Sequence, residues 1–141
     1  MREKQMAATL KLEIVTPEAK IFSEDVEMVT LTGKDGEMGI LPQHMPLMTG
    51  LAAGEIHARK DGQSIFLAVG DGFVQVTREG VSILTDMAIK ADDIDEAKAE
   101  EARQKAEHRL SQKMSEEETA AVQASLMHAM SQLKLKQRTR R

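Results

Sequence analysis

Ile56-His57-Ala58-Arg59, Asp61-Gly62, Ile65-Phe66-Leu67-Ala68-Val69: in this stretch two short apolar-rich runs face each other across a two-residue turn signal. Glycine accepts the positive φ that tight hairpin turns require, so the stretch reads as two antiparallel strands. The pattern extends both ways. Upstream, Leu10, Leu12 and Ile14 alternate with Lys11 and Glu13 until Pro17, and Val26, Met28 and Leu31 form a second set ending at Gly33-Lys34-Asp35-Gly36. Downstream, Phe73-Val74-Gln75-Val76 and Val81-Ser82-Ile83-Leu84 flank Glu79-Gly80 as a further hairpin. Short period-two runs punctuated by Gly and Pro from Leu10 to Leu84 define an all-β sandwich or barrel.

After Asp86 the composition switches. From Ala91 onward there is no Gly and no Pro, and Ala, Glu, Lys, Arg and Gln dominate, which predicts helix. Asp93 with Glu96 resembles a capping pair opening one helix, and Ser115 with Glu118 fits the capping box opening a second, with the break near Ser111 to Met114. The first helix offers a thin apolar line of Ala91, Ile94, Ala99, Ala102, Ala106 and Leu110; the second offers Val122, Leu126, Ala129, Met130 and Leu133. The expected architecture is β + α, an N-terminal all-β sandwich over residues 1–88 followed by a C-terminal antiparallel two-helix hairpin over 89–141. An Ala-lined seam buries little area, so detaching the hairpin is expected to be inexpensive.

Composition narrows the chemistry. Among 141 residues there is no Cys, Trp or Tyr and only three Phe. Disulfides, thiolate metal sites and Cys nucleophiles are excluded, and stacking platforms for bases or sugars are scarce. No apolar run approaches the roughly 18 residues that span a bilayer, so no direct membrane insertion is expected. The opening Met1 to Met6 lacks an apolar signal core and is short and acidic for a transit peptide, so the protein is expected to stay on the side where it is made. Residues 1–91 carry the whole net charge of −4, and the remainder is neutral but polarised: every acid there lies at or before Glu118, while Lys134, Lys136, Arg138, Arg140 and Arg141 crowd the end. That end is a positive terminus suited to an anionic partner.

Catalytic patterns are weak. His44, His57, His108 and His128 are scattered with no H-x-x-x-H pair, so no metal and no cofactor are expected. Glu24-Asp25 and Asp92-Asp93 fall at a turn and a helix start, where carboxylates serve as caps. Gly70-Asp71-Gly72 is followed by strand rather than helix, which makes it a bulge or turn instead of a phosphate cradle. The most specific segment is Gly36-Glu37-Met38-Gly39-Ile40-Leu41-Pro42-Gln43-His44-Met45-Pro46-Leu47. Its glycines and prolines impose an ordered, irregular loop in which Ile40, Leu41 and Leu47 anchor while Glu37 and His44 project.

That segment resembles the GELGILPGHAPL-type loop of the epsilon subunit family of bacterial F-type ATP synthases. Val69-Gly70-Asp71-Gly72-Phe73-Val74-Gln75-Val76 is similar to the family's SGGFLEV-type strand pair, with Asp71 in place of a usual Gly. Val81 to Ala88 resembles its VTILADTA-type ending, and Ile94-Asp95-Glu96-Ala97-Lys98-Ala99 its IDEARA-type helix start. The similarity runs in order from about Leu10 to about Leu135. It implies a non-catalytic rotor subunit on the cytoplasmic face of the bacterial plasma membrane, with the sandwich gripping the gamma stalk subunit and resting on the ring of c subunits. Gly36, Glu37, Gly39, Ile40, Leu41, Pro42, His44 and Pro46 would form the contact loop, with Glu37 and His44 at the contact; for Ile40, Leu41, Pro42 and Pro46 closure of the sandwich is the preferred role, ahead of direct contact. The basic second helix, through Lys134, Lys136 and Arg138, would meet acidic segments of the catalytic beta subunits and block hydrolysis, a solvated tail being the alternative.

Some members of that family bind ATP on the folded hairpin. Here Asp95 matches the motif's acid, but Lys98 and Lys105 stand where Arg is expected, His128 and Gln132 occupy second-helix basic positions, and Ile89 falls where a Glu would hold the ligand. Losing guanidinium forks removes bidentate phosphate recognition, so no physiological ATP binding is expected. The competing readings are a free-standing nucleotide-sensing regulatory protein and a nucleic-acid adaptor. The acidic pI of about 5.6 argues against nucleic acid as a partner.

Overall fold

The structure, a computed structural model, describes residues 8–139. Ten strands precede two helices: β1 (Leu10–Val15), β2 (Lys20–Val26), β3 (Met28–Gly33), β4 (Gly36–Ile40), β5 (Leu47–Leu51), β6 (Gly54–Lys60), β7 (Gln63–Val69), β8 (Gly72–Val76), β9 (Gly80–Thr85), β10 (Ala88–Lys90), α1 (Glu96–Leu110) and α2 (Glu116–Thr139). The strands hydrogen-bond in the order β10-β7-β6-β3-β5-β8-β9-β1-β2, with β4 paired to β3. All the neighbours are antiparallel except β1 and β9, which run parallel from Lys11↔Gly80 to Val15↔Leu84. The path bends at a single register pair, Gly33↔Leu51, which splits it into two layers.

Alternation decides which side chains lie between those layers. Leu12, Ile14, Val26, Val29, Ile40, Leu51, Ile56, Leu67, Val74 and Ile83 are fully buried in one aliphatic core. The two ends of the path come together. Lys90 on β10 has its ammonium 5.9 Å from the ring centroid of Phe22 on β2, and on β6, two strands in from the β10 end, Lys60 pairs with Glu24 of β2. The hairpin at Asp61-Gly62 forms as the sequence predicts, with φ of 51° and 76° at its two turn residues and register from Gly54↔Val69 to Lys60↔Gln63.

In β7 the alternation fails instructively, because Leu67, Ala68 and Val69 are all buried. Leu67 and Val69 face the core, while Ala68 lies under α2 with Ala91, Ile94 and Leu135. A strand covered on both faces loses its polar alternation. β10 carries the sheet two residues beyond the expected boundary at 88, to Lys90.

Both helix starts are capped by side chains, one as predicted and one not. Ser115 and Glu118 form the reciprocal box, with the Ser115 N–H donating to the Glu118 carboxylate and the Glu118 N–H to the Ser115 hydroxyl, each at 3.2 Å. The first cap is Asp95, whose carboxylate accepts from Lys98 N–H at 3.1 Å, rather than Asp93, which closes a 3₁₀ turn over Ala91–Asp93. That turn resets the helical phase, so Ala91 and Ile94 do not set the inward face of α1. Ala102 is consequently exposed, and Arg103 occupies the line between buried Ala99 and Ala106, bound to Glu100 and, at 2.8 Å, to Glu107. On α2, Met130 is exposed and Leu135 is fully buried. Leu133 and Leu135 sit two residues apart, about 200° around the helix, so they serve different neighbours.

Candidate functional site

Half of the expected contact loop is strand. Gly36–Ile40 pairs with β3 from Val29↔Ile40 to Gly33↔Gly36, and the spaced glycines had disguised its alternation. Gly36 takes φ of 129°, which a side chain rarely adopts. Ile40 is fully buried, but Leu41 and Leu47 are 57% and 39% exposed rather than anchoring. Segment 41–46 leaves the sheet, so its side chains meet no second layer. Pro42 is half-buried and Pro46 exposed. Gln43 turns the chain with φ of 67°, a conformation uncommon outside glycine. His44 is half-buried, its Nδ1 2.7 Å from the Met45 carbonyl oxygen, while Glu37 and Met45 are exposed. The tip therefore presents Leu41, Met45 and Leu47 with Glu37 nearby on β4.

A second surface had no counterpart in the sequence reading. On the outer face of the layer β5-β8-β9-β1, Phe73 pairs with Leu84 across β8 and β9, and Leu84 with Val15 on β1. Phe73 is 64% exposed, Leu84 54%, and Met48, one strand over on β5, 69%. Contiguous apolar exposure of this kind marks an interaction surface. The signal was in the phase: Phe73 is out of step with buried Val74 and Val76, and Leu84 with buried Val81 and Ile83.

The three C-terminal cations lie against the sandwich in different ways. Lys136 Nζ donates to the Ala91 carbonyl at 3.2 Å. Arg138 pairs with Glu55 through two nitrogens, Nε at 3.2 Å from Oε2 and Nη2 on Oε1. Lys134 is exposed and lines a cleft of about 480 Å³ between α2 and the outer face of β3 and β6, with Glu37 on the opposite wall. Ser131 on the same helix donates to the Gly54 carbonyl at 2.9 Å. Arg140 and Arg141 lie outside the described residues.

Positions matching the ATP motif are engaged in structural contacts. Asp95 caps α1, Gln132 Nε2 lies 3.6 Å from Met87 Sδ, His128 Nε2 lies 3.1 Å from Asp86 Oδ1, and Ile89 is a half-buried member of β10. Asp71, in the Gly70–Gly72 turn, accepts from Ala53 N–H at 3.0 Å. Among the described residues no group of three or more His, Asp or Glu is placed to hold a metal ion, and no helix is long and apolar enough to cross a membrane.

These surfaces define a two-part interaction protein, a sandwich with one uncovered apolar face and a helical hairpin docked on another. The sequence pattern of the ATP synthase Delta/Epsilon chain beta-sandwich domain matches residues 9–91, and that of its long alpha-helix domain matches residues 92–137. The chain is 41% identical over 129 residues to the ATP synthase epsilon chain of Desulforamulus reducens, covering 92% of this chain and 98% of that one. It is 44% identical over 135 residues to the same-named chain of Dehalococcoides mccartyi, covering 95% and 96%. A chain in the mitochondrial ATP synthase of Euglena gracilis, solved with OSCP, F1 and the c-ring, superposes with a TM-score of 0.71 at 25% identity over 90% of this chain and 80% of that one. The chain belongs to the ATP synthase delta/epsilon family, as a non-catalytic subunit of that complex.

Proposed function

We propose that this chain works in the rotor of the central stalk, where the sandwich grips the gamma subunit and couples ion flow through the c-ring to ATP synthesis, and the hairpin restrains ATP hydrolysis. The observation that carries the reading is the apolar face of Met48, Phe73 and Leu84, which a soluble chain leaves uncovered when a partner covers it. That face is assigned to the gamma subunit. The tip around Glu37, Leu41, His44 and Met45 is assigned to the c-ring, with Gly36, Gly39, Ile40, Pro42 and Pro46 shaping it. Lys134, Lys136 and Arg138 are assigned to acidic segments of the catalytic beta subunits. The chain is then peripheral to the membrane, on the cytoplasmic face of a bacterial plasma membrane.

Co-purification with the gamma subunit tests this. Phe73→Glu with Leu84→Glu, both on the outer face, should abolish association while leaving the β circular dichroism unchanged. A chain ending at Ala91, just past β10, should still associate because it retains all ten strands. Retained association of the Phe73/Leu84 variant would overturn the assignment of that face.

A further inference from the structure

The outer face of the β6–β7 hairpin carries a small, shaped receptor occupied by one side chain. Register places Glu55 opposite Ala68 and His57 opposite Phe66, so these four share that face. Phe66 stacks on His57 with centroids 4.6 Å apart and planes 14° from parallel, and His57 Nε2 is held 2.8 Å from the Ser64 hydroxyl. The Arg138 guanidinium lies over the other partner in this stack, 4.6 Å from the Phe66 centroid, while both oxygens of Glu55 take its Nε and Nη2. Three residues earlier, Leu135 is buried among Ala68, Ala91 and Ile94.

We propose that Glu55 and Phe66, backed by His57, form an arginine-specific clasp that keeps the end of the hairpin docked on the sandwich through Arg138. Two parallel N–H donors and a flat cation match this site; an ammonium supplies neither the fork nor the plane. A guanidinium over an aromatic face adds an attraction that survives partial exposure. Among the described residues at this end the two other cations lack such a receptor: Lys136 meets one carbonyl and Lys134 is exposed. The clasp is a property of the isolated chain; only its consequence for hydrolysis rests on the function proposed above.

Hydrogen exchange on the full-length chain tests it, read on peptides from the last two turns of α2 and, as a fold control, on the strands. Arg138→Lys and Glu55→Gln should each speed exchange at the end of α2 by roughly three- to tenfold. The double variant should be little faster than either single one, because both remove the same interaction. Lys134→Gln should exchange like the wild type. Wild-type exchange in Arg138→Lys overturns the clasp, and so does equal acceleration in Lys134→Gln, which would make charge alone responsible. If Glu55→Gln also loosens the strands, Arg138→Lys, which alters no strand residue, decides. In the assembled enzyme Glu55→Gln frees the hairpin with its cations intact and should lower the hydrolysis rate. Faster exchange with unchanged hydrolysis would retain the clasp and remove the inhibitory role.

Discussion

His128 on α2 meets Asp86 at the end of β9, Nε2 to Oδ1 3.1 Å, directly over Gly70. A methyl group at Gly70 would lie 2.0 Å from that carboxylate oxygen and 2.8 Å from the imidazole nitrogen. The pair and the glycine therefore form one junction between hairpin and sandwich, in which the missing side chain is part of the fit.

The first prediction compares two neighbouring glycines. Gly70→Ala meets only side-chain tips, so it should displace Asp86 and His128, raise protease sensitivity of the hairpin, and cost the sandwich less than about 1 kcal/mol. Gly72→Ala would put a methyl 1.9 Å from the Leu84 carbonyl oxygen, which is backbone. It should cost about 3 kcal/mol, because the β8–β9 ladder must move. Urea denaturation of both variants measures the difference; equal losses would mean that the His128 junction is no softer than the sheet.

The second prediction concerns acid. Glu118 is held below its ordinary value of 4.5, first by the hydrogen bond from the Ser115 backbone and then by the Ser115 side chain. A carboxyl depressed in the folded state contributes stability above the unfolded value and loses it as pH falls through the folded one. The first turn of α2 should therefore fray as pH drops below about 4.5, seen as faster amide exchange there. In Glu118→Gln the exchange of that turn, corrected for intrinsic rate, should be flat with pH.

How far the sequence reached depends on whether a feature was local. The Asp61-Gly62 hairpin and the Ser115–Glu118 box were legible because both partners of each interaction lie within a few residues. The sequence points to Asp93 as the cap, but Asp95, two residues on, competes for the role and takes it once the 3₁₀ turn is made. The long-range features were not legible. Glu55 and Arg138 are 83 residues apart, and nothing near either announces the other. The apolar line expected on the second helix stops at Leu133 and omits Leu135, because the strand that Leu135 covers is known only from the fold. The apolar face was hidden because Phe73 and Leu84 lie in strands whose other residues already supply a core.

The third prediction is that millimolar ATP leaves the thermal midpoint of the isolated chain nearly unchanged. Asp95, His128 and Gln132 are engaged with Lys98, Asp86 and Met87, and no arginine stands where Lys98 and Lys105 replace it. A ligand at a hundredfold excess over its dissociation constant would stabilise the native state by about 2.7 kcal/mol, enough for a rise of several degrees. Such a rise in a calorimetric or dye-based melt would contradict this reading of the hairpin.

The last prediction separates docking from inhibition. Reversing Lys134, Lys136 and Arg138 to Glu together should raise the ATP hydrolysis rate of the assembled enzyme without impairing assembly. The carboxylate that replaces the Arg138 guanidinium would face Glu55, so the hairpin should leave the sandwich, yet it would leave with its positive end made negative and be repelled by acidic partner segments. Glu55→Gln alone releases the same hairpin with its cations intact, so the two variants should move hydrolysis in opposite directions. Each exposed pair contributes at most about 1 kcal/mol, so single reversals should be small while three add repulsion to lost attraction. Because Lys134 and Arg138 are exposed and Lys136 only half-buried, raising the salt should shrink the difference. Assembly should survive, since Phe73 and Leu84 lie on the layer away from the hairpin and are untouched. The measurement is hydrolysis by wild-type and variant complexes at low and high ionic strength, with subunit content checked on a gel. Equal rates at low salt would withdraw the inhibitory role of the basic end and leave the coupling role of the sandwich in place.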